Sequence, residues 1–285
     1  MNIISVKILA TTSIVLWSIT YLLSTFLMQI GFHAVSVFFL RFFFAYIIMI
    51  FIPSKKPIKL TFSEKLIIFI LGVTGGSLYY IMENLALYYS SPGNVSILVC
   101  LSPVFLLLMS KKKSILYYLS AFISFLGVII LTTNGFTFLG DSNVLGSIFA
   151  ILAAVSWSIY TFFLDRLSAK VSHVLLLRKI LFYGCLSIIP FFFYYTNISE
   201  LCLLNNIFNL ALIFILGSIT VACYLLWNIS EKKIGVLSIS NYICLTPIFA
   251  TAFSVYLFQE QITISMILGG LLIVFGFYFS LKIAQ

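Results

Sequence analysis

Glu83 is the residue in this chain best placed to do chemistry. It stands in YYIMENLALYYSSPGN, residues 79–94, near the end of an apolar run that opens after Lys65. The step from Lys65 to Glu83 is 18 residues (83 − 65), or about 27 Å of helix. Against a hydrocarbon layer of about 30 Å, that depth lies in the outer third. A carboxylate there is costly unless it faces protein or water. Two roles fit: a contact inside a cavity, where it binds a substrate ammonium or takes up a proton, or an anchor that snorkels to the outer headgroups.

Aromatic residues form the second group of candidates. Trp17 and Trp157 lie deep inside the first and sixth apolar segments, away from the interfacial depth that tryptophan favours. An indole N–H there needs a partner. Tyr21 and Tyr160 follow within about a turn, and Tyr79, Tyr80, Tyr224, Trp227 and Tyr242 complete a candidate aromatic cavity. The chain is 17% aromatic, so core packing is the competing role for any single ring. Pro103 and Pro247 sit mid-segment, where proline frees a carbonyl and bends a helix; they are candidate hinges. Ser102 and Thr246 precede them and, with Ser96 and Ser240, can bond the freed groups or a solute. Arg41 and Arg178 are read as interfacial anchors, with a carboxylate partner as the alternative. Asn84 and Asn228 read as interhelical glue. Gly72-x3-Gly76 and Gly146-x3-Ala150-x3-Ala154 permit close helix contact. His33 and His173 read as interfacial.

The elements that must hold these side chains follow from composition. The 285 residues are 62% hydrophobic and 8% charged, with a mean hydropathy of +1.20. Soluble domains carry about 25% charge, so a polytopic membrane protein is expected. Ten apolar segments can be drawn: 4–28, 35–52, 65–89, 94–110, 115–133, 143–164, 174–195, 209–230, 235–258 and 263–282. The first has one lysine and no small-residue cleavage site, so it reads as a retained span. All ten must be helices, because only helices and closed barrels satisfy a backbone in hydrocarbon and these runs are too long for barrel strands. The five cysteines, Cys100, Cys185, Cys202, Cys223 and Cys244, form no metal or disulfide pattern.

Alternate loops separate by charge. One set carries Lys7, Lys55, Lys56, Lys59, Lys65, Lys111, Lys112, Lys113, Arg166, Lys170, Lys232, Lys233 and Lys282; the other holds no Lys or Arg but has Asp141, Glu200 and Glu260. The positive-inside rule makes the first set cytoplasmic, with both termini inside. The net charge of +9 therefore reports topology, and no nucleic-acid partner is expected.

The two halves match. Trp17-Ser18-Ile19 returns as Trp157-Ser158-Ile159, Phe39-Leu40-Arg41 as Leu176-Leu177-Arg178, Tyr80-x3-Asn84 as Tyr224-x3-Asn228, and Leu101-Ser102-Pro103-Val104-Phe105 as Leu245-Thr246-Pro247-Ile248-Phe249. Each half holds an odd number of spans, so the second copy enters from the opposite face. The expected architecture is all-α: ten transmembrane helices as two inverted five-helix repeats, 1–133 and 143–285, joined by an extracytoplasmic linker at 134–142. Inverted repeats are the ground plan of many alternating-access transporters.

YYIMENLALYYSSPGNVSILVCLSPVF, YLLWNISEKKIGVLSISNYICLTPIF and FQEQITISMILGGLLIVFG resemble the two repeats of the EamA family, within the drug/metabolite transporter superfamily. The resemblance runs from Trp17 to Gly276. It implies ten spans, cytoplasmic termini, a substrate cavity between the halves, and export of amino acids or similar metabolites. One departure is visible: the Gly-Glu common after the fourth span is Ser110-Lys111 here, while the second copy keeps Glu260.

Catalysis is poorly supported, with no HExxH, no P-loop and no intramembrane acid pair. The expectation is a secondary transporter in the plasma (inner) membrane, exporting an amino acid or related solute in exchange for protons, with no cofactor. Uptake or exchange of a vitamin, nucleotide derivative or sugar is the alternative within transport. A membrane-embedded enzyme or lipid-handling protein is the alternative outside it.

Overall fold

The computed structural model describes residues 3–54, 59–109, 115–132, 141–168, 170–235 and 239–284. Every regular element among them is helical. In chain order these are α1 (Ile3–Ile30), α2 (Ala34–Phe51), α3 (Phe62–Tyr89), α4 (Pro92–Met109), α5 (Ile115–Thr132), α6 (Asp141–Ser168), α7 (His173–Tyr195), α8 (Ile207–Ile234), α9 (Thr246–Phe258) and α10 (Ile264–Ala284). A short helix, Ile198–Cys202, and a 3-10 turn, Leu203–Asn205, lie between α7 and α8.

Seven runs among the described residues are long and apolar enough to cross a membrane: Ile4–Ile30, Ala34–Phe51, Phe62–Tyr89, Pro92–Met109, Val144–Leu164, His173–Tyr195 and Ile207–Ile234. Thr246–Phe258 and Ile264–Gly276 are shorter apolar helices. The chain is accordingly a multi-pass membrane protein. The linker expected at 134–142 falls almost wholly outside the described residues, as do Lys55, Lys56, Ser110, Lys111, Lys112 and Lys113.

Helix ends follow local chemistry. Thr61 and Glu64 close α3 with a reciprocal capping box, satisfying two orphan N–H groups. Ser91 caps α4 ahead of Pro92, whose missing N–H costs nothing in a first turn. Gly235, at φ +83°, ends α8 in a conformation that favours glycine.

Some boundaries differ from the sequence expectation. The segment 235–258 is not one helix among the described residues: 3-10 turns at Asn241–Leu245 precede α9. Pro247 has no N–H and crowds the turn before it, so the regular helix restarts at Thr246. The same reason breaks α4 at Cys100–Leu101, just before Pro103, where Val104 and Phe105 both donate to the Leu101 carbonyl. Glu231-Lys232-Lys233, expected as a connector, instead prolongs α8 by a turn and buries Glu231.

Helix α1 packs on α8 and α9, α3 packs on α6 and α7, and α4 packs on α6. α2 touches α7 and α8, α4 touches α9, and α5 touches α10. Small residues sit at the closest crossings. A Cβ on Gly72 would meet Tyr183 and Gly184 of α7, and one on Gly146 would meet Ala86 of α3 and Ser90 just after it. The glycines read from sequence as contact points thus pack helices within this chain.

Glu260, in the α9–α10 connection, caps the start of α4 from outside. Its carboxylate accepts from the Ser91 hydroxyl and from the Gly93 N–H at 3.2 Å. A carboxylate at a helix N-terminus meets an orphan N–H and the positive end of the helix dipole. Glu260→Ala should lower stability by about 1 kcal/mol, read as a reduced thermal midpoint in detergent. An unchanged midpoint would reduce the cap to an incidental contact.

Candidate functional site

The candidate site is built by α1, α3, α6 and α8, which converge at the centre of the bundle. α1 presents Trp17 and, one turn on, Tyr21. α3 presents Tyr79, Tyr80 and, one turn on, Glu83. α6 presents Trp157 and Tyr160, and α8 presents Tyr224 and Trp227. Each set recurs at three- or four-residue spacing, which keeps it on one helical face.

These rings meet. Trp17 lies 5.3 Å from Trp157, 5.3 Å from Trp227 and 6.0 Å from Tyr224, centroid to centroid, all edge-on. Trp157 also packs on Tyr79 at 5.0 Å and Tyr160 at 4.8 Å. Edge-to-face geometry sets ring hydrogens against π-faces. The Trp17 Nε1–H donates to the Tyr80 hydroxyl at 3.2 Å. Trp17, Tyr21, Tyr79 and Trp157, with Ile14, Val99, Ile243 and Thr246, enclose a cavity of about 20 Å³. That volume holds roughly one water, so the rings are closed on one another.

Several buried polar atoms here lack a hydrogen-bond partner among the described residues. They are the indole N–H groups of Trp157 and Trp227, the Tyr160 hydroxyl, the Ser102 hydroxyl and both side-chain atoms of Asn228. An unpaired buried donor costs about 1–3 kcal/mol.

The charged pair lies beside the rings. Arg41 and Glu83 are 0% and 1% exposed. Arg41 Nη1 stands 3.7 Å from Glu83 Oε1, and the guanidinium carbon lies 4.1 Å from the Tyr80 ring centroid. Arg41 Nε donates to Thr220 Oγ1 at 2.5 Å and Nη2 to Thr20 Oγ1 at 3.2 Å. Both threonine hydroxyls donate their own protons to carbonyls of their own helices, to Leu216 and Trp17, which leaves lone pairs for the guanidinium. Tyr21 and Tyr79 reach the Glu83 carboxylate with their hydroxyls. Arg41 therefore ties α2 to α1, α3 and α8, which corrects its expected place as an interfacial anchor. Glu83 is likewise no snorkelling anchor. A buried charge of this kind is tolerated because a counter-charge and donors surround it. Arg178 differs: it is half-buried and donates to the Met49 and Ile52 carbonyls at the end of α2.

The remaining expected residues divide. Thr246 lines the cavity, and Pro103 and Pro247 each follow a break in their helix. Ser102 is buried, and its carbonyl accepts from the Ser158 hydroxyl at 2.7 Å. Tyr242 is half-buried against the core and does not stack with the Trp17–Trp157 group among the described residues. Asn84 donates to the Ala34 carbonyl at 2.9 Å, joining α3 to α2 as expected. Asn228 makes no such bond.

Sequence reading missed three features. The segment Val73–Leu78 is a π-turn within α3, and its Gly75 carbonyl accepts from the Tyr224 hydroxyl. Thr20 and Thr220 hold Arg41. Glu231 is buried near the C-terminal end of α8. A signal existed for the threonines, since Thr20 is one turn from Trp17 and Thr220 one turn from Tyr224, on faces already marked. The π-turn had only the Gly75-Gly76 pair to announce it.

The sequence profile of the EamA-like transporter family matches residues 4–133 and 144–282. An uncharacterized transporter of Archaeoglobus fulgidus is 26% identical over 220 residues, covering 76% of this chain and 76% of its own. An uncharacterized transporter of Bacillus subtilis, YvbV, is 23% identical over 225 residues, covering 77% and 72%. A solved crystal structure superposes over 100% of this chain and 99% of its own with a TM-score of 0.65 at 18% identity, and it shares the fold.

Proposed function

We infer, from a chain that belongs to the EamA-like transporter family, that the aromatic centre is its solute site and that the solute is an amino acid or a close relative, exported by alternating access. The observation that carries this is the centre itself. Rings from α1, α3 and α6 close around a cavity of about 20 Å³, with the α8 rings packed behind Trp17, unpaired donors on Trp157, Trp227 and Tyr160 and a separable charge pair one ring away. An α-amino acid is a zwitterion. Its carboxylate matches the Arg41 fork, its ammonium matches Glu83, and its side chain enters the aromatic wall. The 3.7 Å separation of Arg41 and Glu83 is an ion contact without a direct hydrogen bond, so a solute can replace each partner without breaking one. The assigned binding residues are Trp17, Tyr21, Tyr79, Tyr80, Glu83, Ser102, Trp157, Tyr160, Tyr224, Trp227 and Thr246. Arg41 joins them, and Tyr242 is a second-rank contact.

The helix contacts support an inverted-repeat reading of ten spans. Exchanging α1–α5 with α6–α10 maps the α1–α8 contact onto α6–α3, α2–α8 onto α7–α3, and α1–α9 onto α6–α4. On this reading Pro103 and Pro247 are matched hinges, the lysine-rich loops and both termini are cytoplasmic, and the membrane is the plasma membrane. On this reading Glu83 carries the coupling proton: the solute ammonium and the proton compete for its carboxylate, so one binds as the other leaves.

The test is metabolite profiling of cytosol and medium from cells expressing wild type, Glu83→Gln, Trp157→Phe or no transporter, at matched membrane levels. Wild type should enrich one amino-acid class in the medium. Trp157→Phe keeps a ring but removes the unpaired N–H, and should cut that export about tenfold, the worth of one lost hydrogen bond. Glu83→Gln should remove the dependence of export on the proton gradient. Export unchanged in both variants would sink the assignment of this centre.

A further inference from the structure

A second polar cavity lies away from the aromatic centre. It encloses about 610 Å³ at the end of the bundle where α1 ends, α2 begins, α3 ends and the Ile198–Cys202 helix crosses. Its walls include Phe32, His33, Tyr88, Tyr89, Tyr195 and Glu200. None of its lining residues lines the central cavity. Glu200 is only 7% exposed. Its Oε1 accepts from the His33 N–H at 2.8 Å, and among the described residues no Lys or Arg pairs with it. A buried carboxylate without a counter-cation costs free energy that an incoming cation would recover. The rings nearby supply π-faces, which attract ammonium groups. Among the described residues, no Lys or Arg lines the cavity.

An apolar groove of about 430 Å³ adjoins it, sharing His33, Leu85 and Tyr195. The His33 imidazole stacks on the Tyr195 ring there at 4.9 Å and 5°. The groove runs between α2, α3 and α7 along Ile81, Met82, Ile188 and Phe191. Leu78 and Phe191 are exposed on its rim, so it faces the bilayer.

We propose that cavity and groove together form a binding site for a singly charged ammonium amphiphile, with its head beside Glu200 among the tyrosines and its alkyl chain in the groove. Charge complementarity selects this occupant over a phospholipid. A phosphate would enter walls that hold a carboxylate and, among the described residues, no Lys or Arg, whereas an ammonium meets that carboxylate and the ring faces. The site is independent of the central transport reading, because it is read out as binding at equilibrium.

The test uses the protein in phosphatidylcholine nanodiscs and radiolabelled decyltrimethylammonium below its micellar concentration, with empty nanodiscs as the partition control. Saturable binding above the control is expected. Glu200→Gln keeps an acceptor for the His33 N–H and so preserves the fold, yet should weaken binding by roughly tenfold or more. Ile81→Trp fills the groove and should weaken the decyl cation while leaving tetramethylammonium unchanged. Decylphosphocholine, with the same tail and a zwitterionic head, should compete poorly. No saturable binding, or equal affinity in Glu200→Gln, overturns the proposal. Equal competition by decylphosphocholine also overturns it and makes the groove an ordinary lipid seat. Trp157→Phe should keep this binding, so loss of transport and loss of the amphiphile site are separate results.

Discussion

Arg41→Met is expected to destabilise the protein by about 3–5 kcal/mol, the cost of leaving one member of a buried ion pair uncompensated. The residue is fully buried and holds Glu83, the Tyr80 face, Thr20 and Thr220 at once. Removing it strands the Glu83 carboxylate and unties α2 from α1, α3 and α8. Glu83→Gln alone should cost less, since glutamine is neutral and still offers an oxygen toward Tyr21 and Tyr79. The double variant Arg41→Met/Glu83→Gln should recover a large part of the Arg41→Met loss, because the stranded charge is gone. Thermal unfolding of the three variants in the same detergent gives the coupling between the two residues. Additive effects would mean that the pair does not interact, and that the 3.7 Å approach is mere adjacency.

Gly75→Val should be the most damaging substitution at a glycine. The π-turn at Val73–Leu78 turns Gly75 toward α6, and the Tyr160 ring occupies the place a Cβ would take. The Gly75 carbonyl also accepts from Tyr224. An added side chain must push Tyr160 from its contacts with Trp157 and Tyr224. Overpacking of this kind costs about 1–3 kcal/mol, and here it also opens the aromatic wall. Both stability and export should fall. Gly75→Val/Tyr160→Ala should regain stability, because the alanine vacates the contested space, while export stays low because the wall is incomplete. If Gly75→Val alone folds and exports as wild type does, Tyr160 has room to move and the wall is not a fixed part of the site.

Much of the molecule was determined by its sequence alone. Long apolar runs dictate membrane helices, because hydrocarbon offers a backbone no other partner. The helical faces carrying Trp17, Tyr79, Trp157, Tyr160, Tyr224 and Trp227 were legible from residue type and spacing, and the structure brings those rings together. The family was legible too, in repeated motifs that the profile match covers on both sides of residues 134–143. Tertiary structure alone decided what the charges do. Arg41 and Glu83 lie 42 residues apart (83 − 41) on different helices, and no local pattern says that two charges near opposite ends of α2 and α3 share one depth. Antiparallel packing of those helices brings them level, and Thr20 and Thr220 then complete the guanidinium's shell. The π-turn has the same origin: one extra residue in a helical turn becomes worthwhile only when Tyr160 and Tyr224 arrive to use the space and the carbonyl it frees. Periodicity reports which face of a helix is apolar, while the partner across that face is set by packing, and a polar contact exists only between partners.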